Sequence, residues 1–180
     1  SNKDQLTAHI TLSKRGIERE ALRVNKTGKL SNIQHPYPLG HPLTHPYITT
    51  DFAESQLELI TGTYDNINDC LANLTHNHLW LANQLAYLQD PEYLWPASMP
   101  CDLSDTEPKL AYYGKSNLSK LKHTYRRGLA NRYGKKTQLI SGIHYNFSFS
   151  DKFWQWYQAY LQELNLSERL YNSTNLQEFK

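Results

Sequence analysis

Apolar and polar residues alternate through Arg15-Gly16-Ile17-Glu18-Arg19-Glu20-Ala21-Leu22-Arg23-Val24, and a period of two is the signature of a strand. On such a strand Glu18 and Glu20 share one face while Ile17, Arg19 and Ala21 share the other. Asn25-Lys26-Thr27-Gly28 follows, and its Asn and Gly tolerate the positive φ of a tight turn, so the strand should end there. Ile48 to Thr61 also reads as extended, less regularly, with Ile48, Phe52, Leu57, Leu59 and Ile60 flanking Thr49, Thr50, Asp51, Glu54 and Glu58. Asp51 and Glu58 would face opposite ways on one regular strand, so a bulge or bend is needed to bring both to one place. A third extended segment runs from Gln138 to Ser150, where Ile143, Tyr145, Phe147 and Phe149 oppose His144, Asn146 and Ser148.

Apolar spacings of three and four predict helices. Asp65 or Asn66 can cap one that carries Ile67, Leu71, Leu74, Leu81, Leu85 and Leu88 and stops by Asp90-Pro91. His76 and His78 lie off that stripe and should face solvent. Ser116 caps a second helix, with Leu118, Leu121, Tyr125 and Leu129 inward and Lys120, Lys122, Arg126, Arg127 and Arg132 on its other faces. Asp151 caps a third, whose stripe of Phe153, Tyr157, Tyr160, Leu161 and Leu164 is widened by Trp154 and Trp156. Between the first two strands, His35-Pro36, His41-Pro42 and His45-Pro46 with Pro38 and Gly40 deny helix or central strand and predict an ordered loop. The histidine spacings there fit no zinc pattern. Pro96 and Pro100 bracket a second rigid loop, Trp95 to Cys101.

Composition narrows the class. A chain of 180 residues that is 39% hydrophobic is long and oily enough for one domain with a real core. Lys and Arg number 19 against 17 Asp and Glu, so no global field draws the molecule to polyanions. The basic stretch Lys115 to Lys136 comes with no nucleic-acid module, and no nucleic-acid partner is expected. No apolar run is long enough to span a bilayer and Ser1 to Ile10 lacks a signal-peptide core, so the expectation is a cytoplasmic protein without membrane contact. Cys70 and Cys101 have no metal-ligand spacing and read as ordinary thiols. The chain opens without Met and its last ten residues are polar, so a longer protein is expected.

The candidate chemistry lies on the strands: Glu18 and Glu20 from the first, Asp51 and Glu58 from the second, His144 and Asn146 from the third. Carboxylates are the hard oxygen ligands that magnesium takes, and several in one place are tolerable when a divalent cation compensates them. A lone imidazole among them suits magnesium or manganese better than zinc. Taken singly, each carboxylate is most simply a solvated surface residue and His144 a hydrogen-bonded strand histidine. Spacing alone leaves both readings open.

Five ordered blocks go further: Arg15 to Asn25; Thr49-Thr50-Asp51-Phe52-Ala53-Glu54; Trp95-Pro96-Ala97-Ser98-Met99-Pro100-Cys101; Tyr125-Arg126-Arg127-Gly128-Leu129-Ala130-Asn131-Arg132-Tyr133-Gly134; and Ile140-Ser141-Gly142-Ile143-His144-Tyr145-Asn146-Phe147-Ser148. In that order they resemble the N-terminal part of proteobacterial glutamate-cysteine ligase. The resemblance implies an α+β fold related to glutamine synthetase, an antiparallel sheet forming an active-site wall with helices outside. Residues 1–180 would be the N-terminal portion of a single catalytic domain, inactive without the rest. The implied reaction joins L-glutamate, activated by ATP as γ-glutamyl phosphate, to L-cysteine, the first step of glutathione biosynthesis. Its small-molecule partners are glutamate, cysteine and ATP, and its protein partner the remainder of the ligase chain. By the same resemblance Glu18, Glu20, Asp51, Glu58 and His144 match metal ligands for Mg2+ or Mn2+. Phe52, Tyr125, Leu129 and Gln138 match the cysteine pocket, Asn146 counts as a substrate contact, and Arg126 looks like a catalytic anion-binding residue. Another carboxylate-amine ligase of the superfamily and a non-catalytic binding module are the alternatives.

Overall fold

The computed structural model of the chain describes residues 2–103 and 106–163, so the expectations for Leu164 and for the polar C-terminal stretch lie outside the described residues. Its helices are α1 (Asn2–Thr11), α2 (Ile67–Ala86), α3 (Asn117–Tyr133) and α4 (Asp151–Glu163). Its strands are β1 (Lys14–Asn25), β2 (Ile48–Thr50), β3 (Gln56–Ile60), β4 (Glu92–Leu94) and β5 (Ile143–Ser148). They form one sheet, ordered β2-β3-β1-β4 with β5 also pairing β1, and its β1·β3, β1·β4 and β2·β3 ladders are antiparallel. The chain divides into two compact units, Gly16–Asn146 and a smaller one made of Ser1–Arg15 with Phe147–Lys180.

In the larger unit, the strand predicted from alternation becomes β1 and ends in the expected turn. The Asn25 side chain accepts from the Thr27 and Lys29 amides at 2.9 and 3.1 Å. Gly28 takes a positive φ of 75°, a conformation open to glycine without steric cost. The second extended segment is a hairpin rather than one bent strand: β2 and β3 pair antiparallel, with Thr49 opposite Glu58 and Thr50 opposite Leu57. A chain reversal, not a bulge, therefore settles the parity of Asp51 and Glu58. The three-residue β4 carries no alternation to announce it.

The sheet has two unlike faces. On one, Ile48, Leu57 and Leu59 pack with Leu39 and with Leu81 and Leu85 of α2. Asn66 caps α2 through the Asn68 amide. The buried stripe of α2 is Cys70, Asn77, Leu81 and Leu85, whereas Ile67 and Leu71, expected inside, are exposed. Nor does His78 face solvent: half-buried, its Nδ1 lies 2.8 Å from Arg19 Nη1 on the back of β1. On the opposite face, Leu22 and Val24 pack with Leu30, Phe52, Ala53, Cys101 and Leu139, and Leu129 and Ala130 of α3 lie against them. Ser116 caps α3, accepting from the Ser119 amide at 3.2 Å. That helix turns an unexpected side inward: Ser119 and Arg126 are buried, while Leu118, Leu121 and Tyr125 are exposed. The reason is a buried cluster of acceptors, the Asp51 carbonyl and the Tyr113 hydroxyl among them, to which Arg126 donates.

The histidine-proline segment is an ordered loop containing a 3-10 turn at Tyr37–Leu39. His41 and His45 use Nδ1 to accept backbone amides, from Leu43 at 3.2 Å and from Tyr47 and Ile48 at 3.2 and 2.9 Å. Burial first and the Arg23 charge second push the His35 pKa down to about 4, so this imidazole is neutral. In the smaller unit α1, absent from the sequence expectations, packs with α4. Ser150 rather than Asp151 caps α4, accepting from the Phe153 amide at 3.2 Å. Phe153 is buried and stacks on Phe149 and Tyr157, and Trp156 stacks on His9. Among the described residues no helix is long and apolar enough to cross a membrane.

One ion pair is wholly inside. Arg23 of β1 is 0% exposed and Glu92 of β4 2%, with Nη1 and Oε2 2.5 Å apart. Arg23 Nη2 also donates to the carbonyls of Ile33 and Glu54 at 2.6 and 3.0 Å, and Ser31 donates to Glu92 Oε1. A buried pair contributes little net, but half of one leaves a bare charge inside. Glu92→Ala should therefore cost about 3–5 kcal/mol in urea unfolding, whereas Glu92→Gln, which keeps an acceptor, should cost less.

Candidate functional site

Antiparallel pairing places Glu20 of β1 directly opposite Glu58 of β3. Directly opposed residues project to the same face, and like charges there destabilise the ladder. Glu18 lies two residues along β1 on that face. Asp51 begins the turn after β2, with its amide donating to the Gln56 carbonyl at 2.9 Å. β5 brings His144, whose Nε2 is 3.7 Å from Glu20 Oε1, and Asn146, whose Nδ2 donates to Glu18 Oε1 at 3.0 Å. Of the five expected metal residues, Glu18, Glu20 and Glu58 thus share one sheet face and His144 lies beside Glu20, while Asp51 is near enough to act on the Glu20 and Glu58 charges; Asn146, expected as a substrate contact, donates to Glu18.

The electrostatics record the crowding. Burial pushes the Glu58 pKa up to about 7, and the charges of Asp51, Glu18 and Glu20 push the same way, with His144 opposing. Glu20 is also raised, by burial first. The Gly142 amide opposes that rise, while Asp51 adds to it. That amide donates to Glu20 Oε2 at 2.8 Å. A Cβ at Gly142 would sit 3.1 Å from His144 Nε2, so the residue leaves room for the imidazole beside the carboxylate. Sequence reading missed Gly142; its one signal is a glycine two positions before His144 in an alternating strand.

The donor chemistry fits a hard divalent ion: four carboxylates with one imidazole, oxygens dominating. Among the described residues no three His, Cys, Asp or Glu side chains close up as a coordination shell. They stand around the site, with Glu20 and Glu58 half-buried and His144 exposed.

The expected cysteine pocket divides differently. Phe52 lies in the core at 2% exposure, where its ring meets Leu22, Val24 and Leu139 rather than solvent. Leu129 packs on that cluster from α3, and with Tyr125, Gly128 and Arg132 it lines an open hollow of about 270 Å³. Gln138 sits half-buried in the 3-10 turn Thr137–Leu139, which packs with α3, and is not among the residues lining that hollow. Arg126, expected to meet an anion, has neutral acceptors: Nε donates to the Asp51 carbonyl at 2.5 Å, Nη1 to the Lys122 carbonyl at 3.2 Å and Nη2 to the Tyr113 hydroxyl at 2.8 Å. At 9% exposure a guanidinium needs such partners.

Glu58 also sets a pH dependence. Its folded-state pKa lies above the ordinary carboxylate value of 4.5, so the folded state binds the proton more tightly than the unfolded chain does. The stability it contributes is full below about pH 4.5 and is lost as pH rises through about 7. In buffer with chelator, Glu58→Gln should raise the melting temperature at pH 8 and flatten its decline between those two pH values, as followed by circular dichroism.

Residues 2–177 match the family model for glutamate-cysteine ligase. The chain is 49% identical to the glutamate-cysteine ligase of Pseudomonas paraeruginosa over 88% of its length, and 47% identical to that of Hahella chejuensis over 92%. It spans about three tenths of the length of each. Among solved structures it resembles a glutamate-cysteine ligase from Francisella tularensis in complex with AMP, with a TM-score of 0.76 and 42% identity over 83% of this chain and 30% of that one. It also resembles a bifunctional glutathione synthetase from Pasteurella multocida, with a TM-score of 0.71 and 36% identity over 84% of this chain and 19% of that one. With a family model covering nearly every residue and relatives close to half identical over most of its length, this chain belongs to the glutamate-cysteine ligase family.

Proposed function

We propose that these 180 residues are the N-terminal portion of one catalytic domain that joins L-glutamate to L-cysteine at the expense of ATP. The single observation that carries the reading is the set of carboxylates compressed on one sheet face, with Glu20 opposite Glu58. Nothing in strand pairing calls for that arrangement, and it opposes the ladder's own stability. Family membership supplies the substrate class, and the AMP bound to the Francisella relative supports a nucleotide substrate.

In this reading the γ-carboxylate of glutamate takes the terminal phosphoryl group of ATP, and the cysteine amine then displaces phosphate from the acyl phosphate to form the amide. Glu18, Glu20, Asp51, Glu58 and His144 would hold Mg2+ or Mn2+. When bound, the ion neutralises phosphate charge that otherwise repels the incoming carboxylate. The chain's own contribution is to orient two of those acids. The Gly142 amide holds one Glu20 oxygen and the Asn146 amide holds Glu18, each leaving lone pairs for an ion. The hollow at Tyr125 and Leu129 would take the cysteine side chain, with Leu129 backed by the core cluster that contains Phe52. Arg126 acts here by fixing the Asp51 carbonyl rather than by meeting an anion. Partners in this reading are glutamate, cysteine, ATP and the remainder of the ligase chain.

A coupled assay of ADP release tests it on the intact gene product. Glutamate, cysteine and ATP should all be needed, and chelator should abolish turnover. Glu18→Ala and Glu58→Ala should each lower kcat/KM by about a hundredfold or more, since each removes an ion ligand at a charge-stabilising centre. Unchanged turnover in both variants overturns the assignment of these acids.

A further inference from the structure

The geometry points to Tyr113 as a positioning residue: its hydroxyl, gripped by Arg126, fixes the turn that carries Asp51 and so aims that carboxylate at Glu20 and Glu58. The inference rests on the reading of Asp51 as one of the acids that hold the divalent ion.

Tyr113 lies three residues before the cap of α3 and is 3% exposed. Its hydroxyl donates to the Thr50 carbonyl at 2.6 Å and accepts from Arg126 Nη2 at 2.8 Å and from Thr50 Oγ1 at 3.0 Å. A phenol has one proton to give and two lone pairs, so this hydroxyl is saturated by its three partners. Arg126 Nε reaches the next carbonyl along, that of Asp51. The guanidinium also lies 5.0 Å from the centre of the Tyr113 ring, a cation over an aromatic face. Burial raises the Tyr113 pKa, against the opposing pull of Thr50 and Arg126, so the phenol remains a donor at neutral pH.

The clamp acts on a turn already held along its length. The Ala111 amide donates to the Phe52 carbonyl at 3.0 Å and the Glu54 amide to the Lys109 carbonyl at 2.9 Å. The Tyr112 amide donates to Glu54 Oε1 at 2.9 Å. Asp51 thus has its amide fixed by Gln56 and its carbonyl fixed by Arg126, which leaves only side-chain torsions free. Repulsion between its carboxylate and those of Glu20 and Glu58 acts at the start of this turn and would open it. The hydrogen bonds from Arg126 and Tyr113 are the restraint that opposes this. A carboxylate facing others needs such a restraint to present a fixed donor set, because partners behind a ligand set its orientation.

Tyr113→Phe keeps the ring and its contact with Arg126 and deletes only the hydroxyl. In the intact gene product, Mn2+ titration followed by electron paramagnetic resonance should show affinity falling about tenfold. Asn77→Ala serves as the comparison. It removes a part-buried side-chain-to-carbonyl hydrogen bond, Asn77 Nδ2 to the Ile60 carbonyl at 3.3 Å on the α2 side, and should lower the melting temperature without weakening Mn2+ binding. Equal Mn2+ affinity in Tyr113→Phe and wild type overturns the positioning role while leaving the ion site standing. Equal weakening by both variants also overturns it, because the effect is then general loosening. If the wild type binds no Mn2+, the site reading and this inference fall together.

Discussion

The register between β1 and β3 is the constraint on which the rest depends. Leu57 and Leu59 bury against α2 on one face, and a shift of one residue would turn them to the other side. Apolar packing therefore pins the ladder, and the ladder in turn sets Glu20 opposite Glu58. The two faces are energetically coupled: oil on the back compels acid to meet acid on the front. Arg19 shows the same logic, since alternation sends it to the α2 side, where His78 receives it.

Buried guanidinium groups then tie distant segments to this frame. Arg23 joins β1 to β4, to the loop at Ile33 and to the turn at Glu54. Arg126 joins α3 to the turn at Asp51. In both cases a rigid fork satisfies several acceptors that burial would otherwise leave unpaired. Such groups are weak contributors to net stability but strong selectors of one arrangement over its neighbours.

What the sequence showed and what it hid divide along the same line. Period-two alternation gave β1, and short-range hydrogen-bond logic gave the caps at Asn66 and Ser116. The five blocks gave the family. Hidden were features decided by partners far along the chain. The inward face of α3 was misjudged because the acceptors of Arg126 lie on residues 50 and 51, and no helical pattern carries that information. The hairpin of β2 and β3 was read as one bent strand because Phe52 and Ala53 are as apolar as strand residues, although they fill a core under a turn. Gly142 carries no property of its own that announces a backbone donor aimed at Glu20.

The link from Arg126 to the Asp51 carbonyl closes a loop of 75 residues. Hairpins close within microseconds, whereas contacts between segments so far apart form slowly because their loop entropy must be overcome first. Of the pairings that build this site only β2 with β3 is a local hairpin; Glu20 meets Glu58 across a long stretch of chain, and α3 reaches the Asp51 carbonyl across a longer one still. Loop entropy is therefore concentrated where the acids converge: the corner around Asp51 is closed by a contact that local pairing cannot supply.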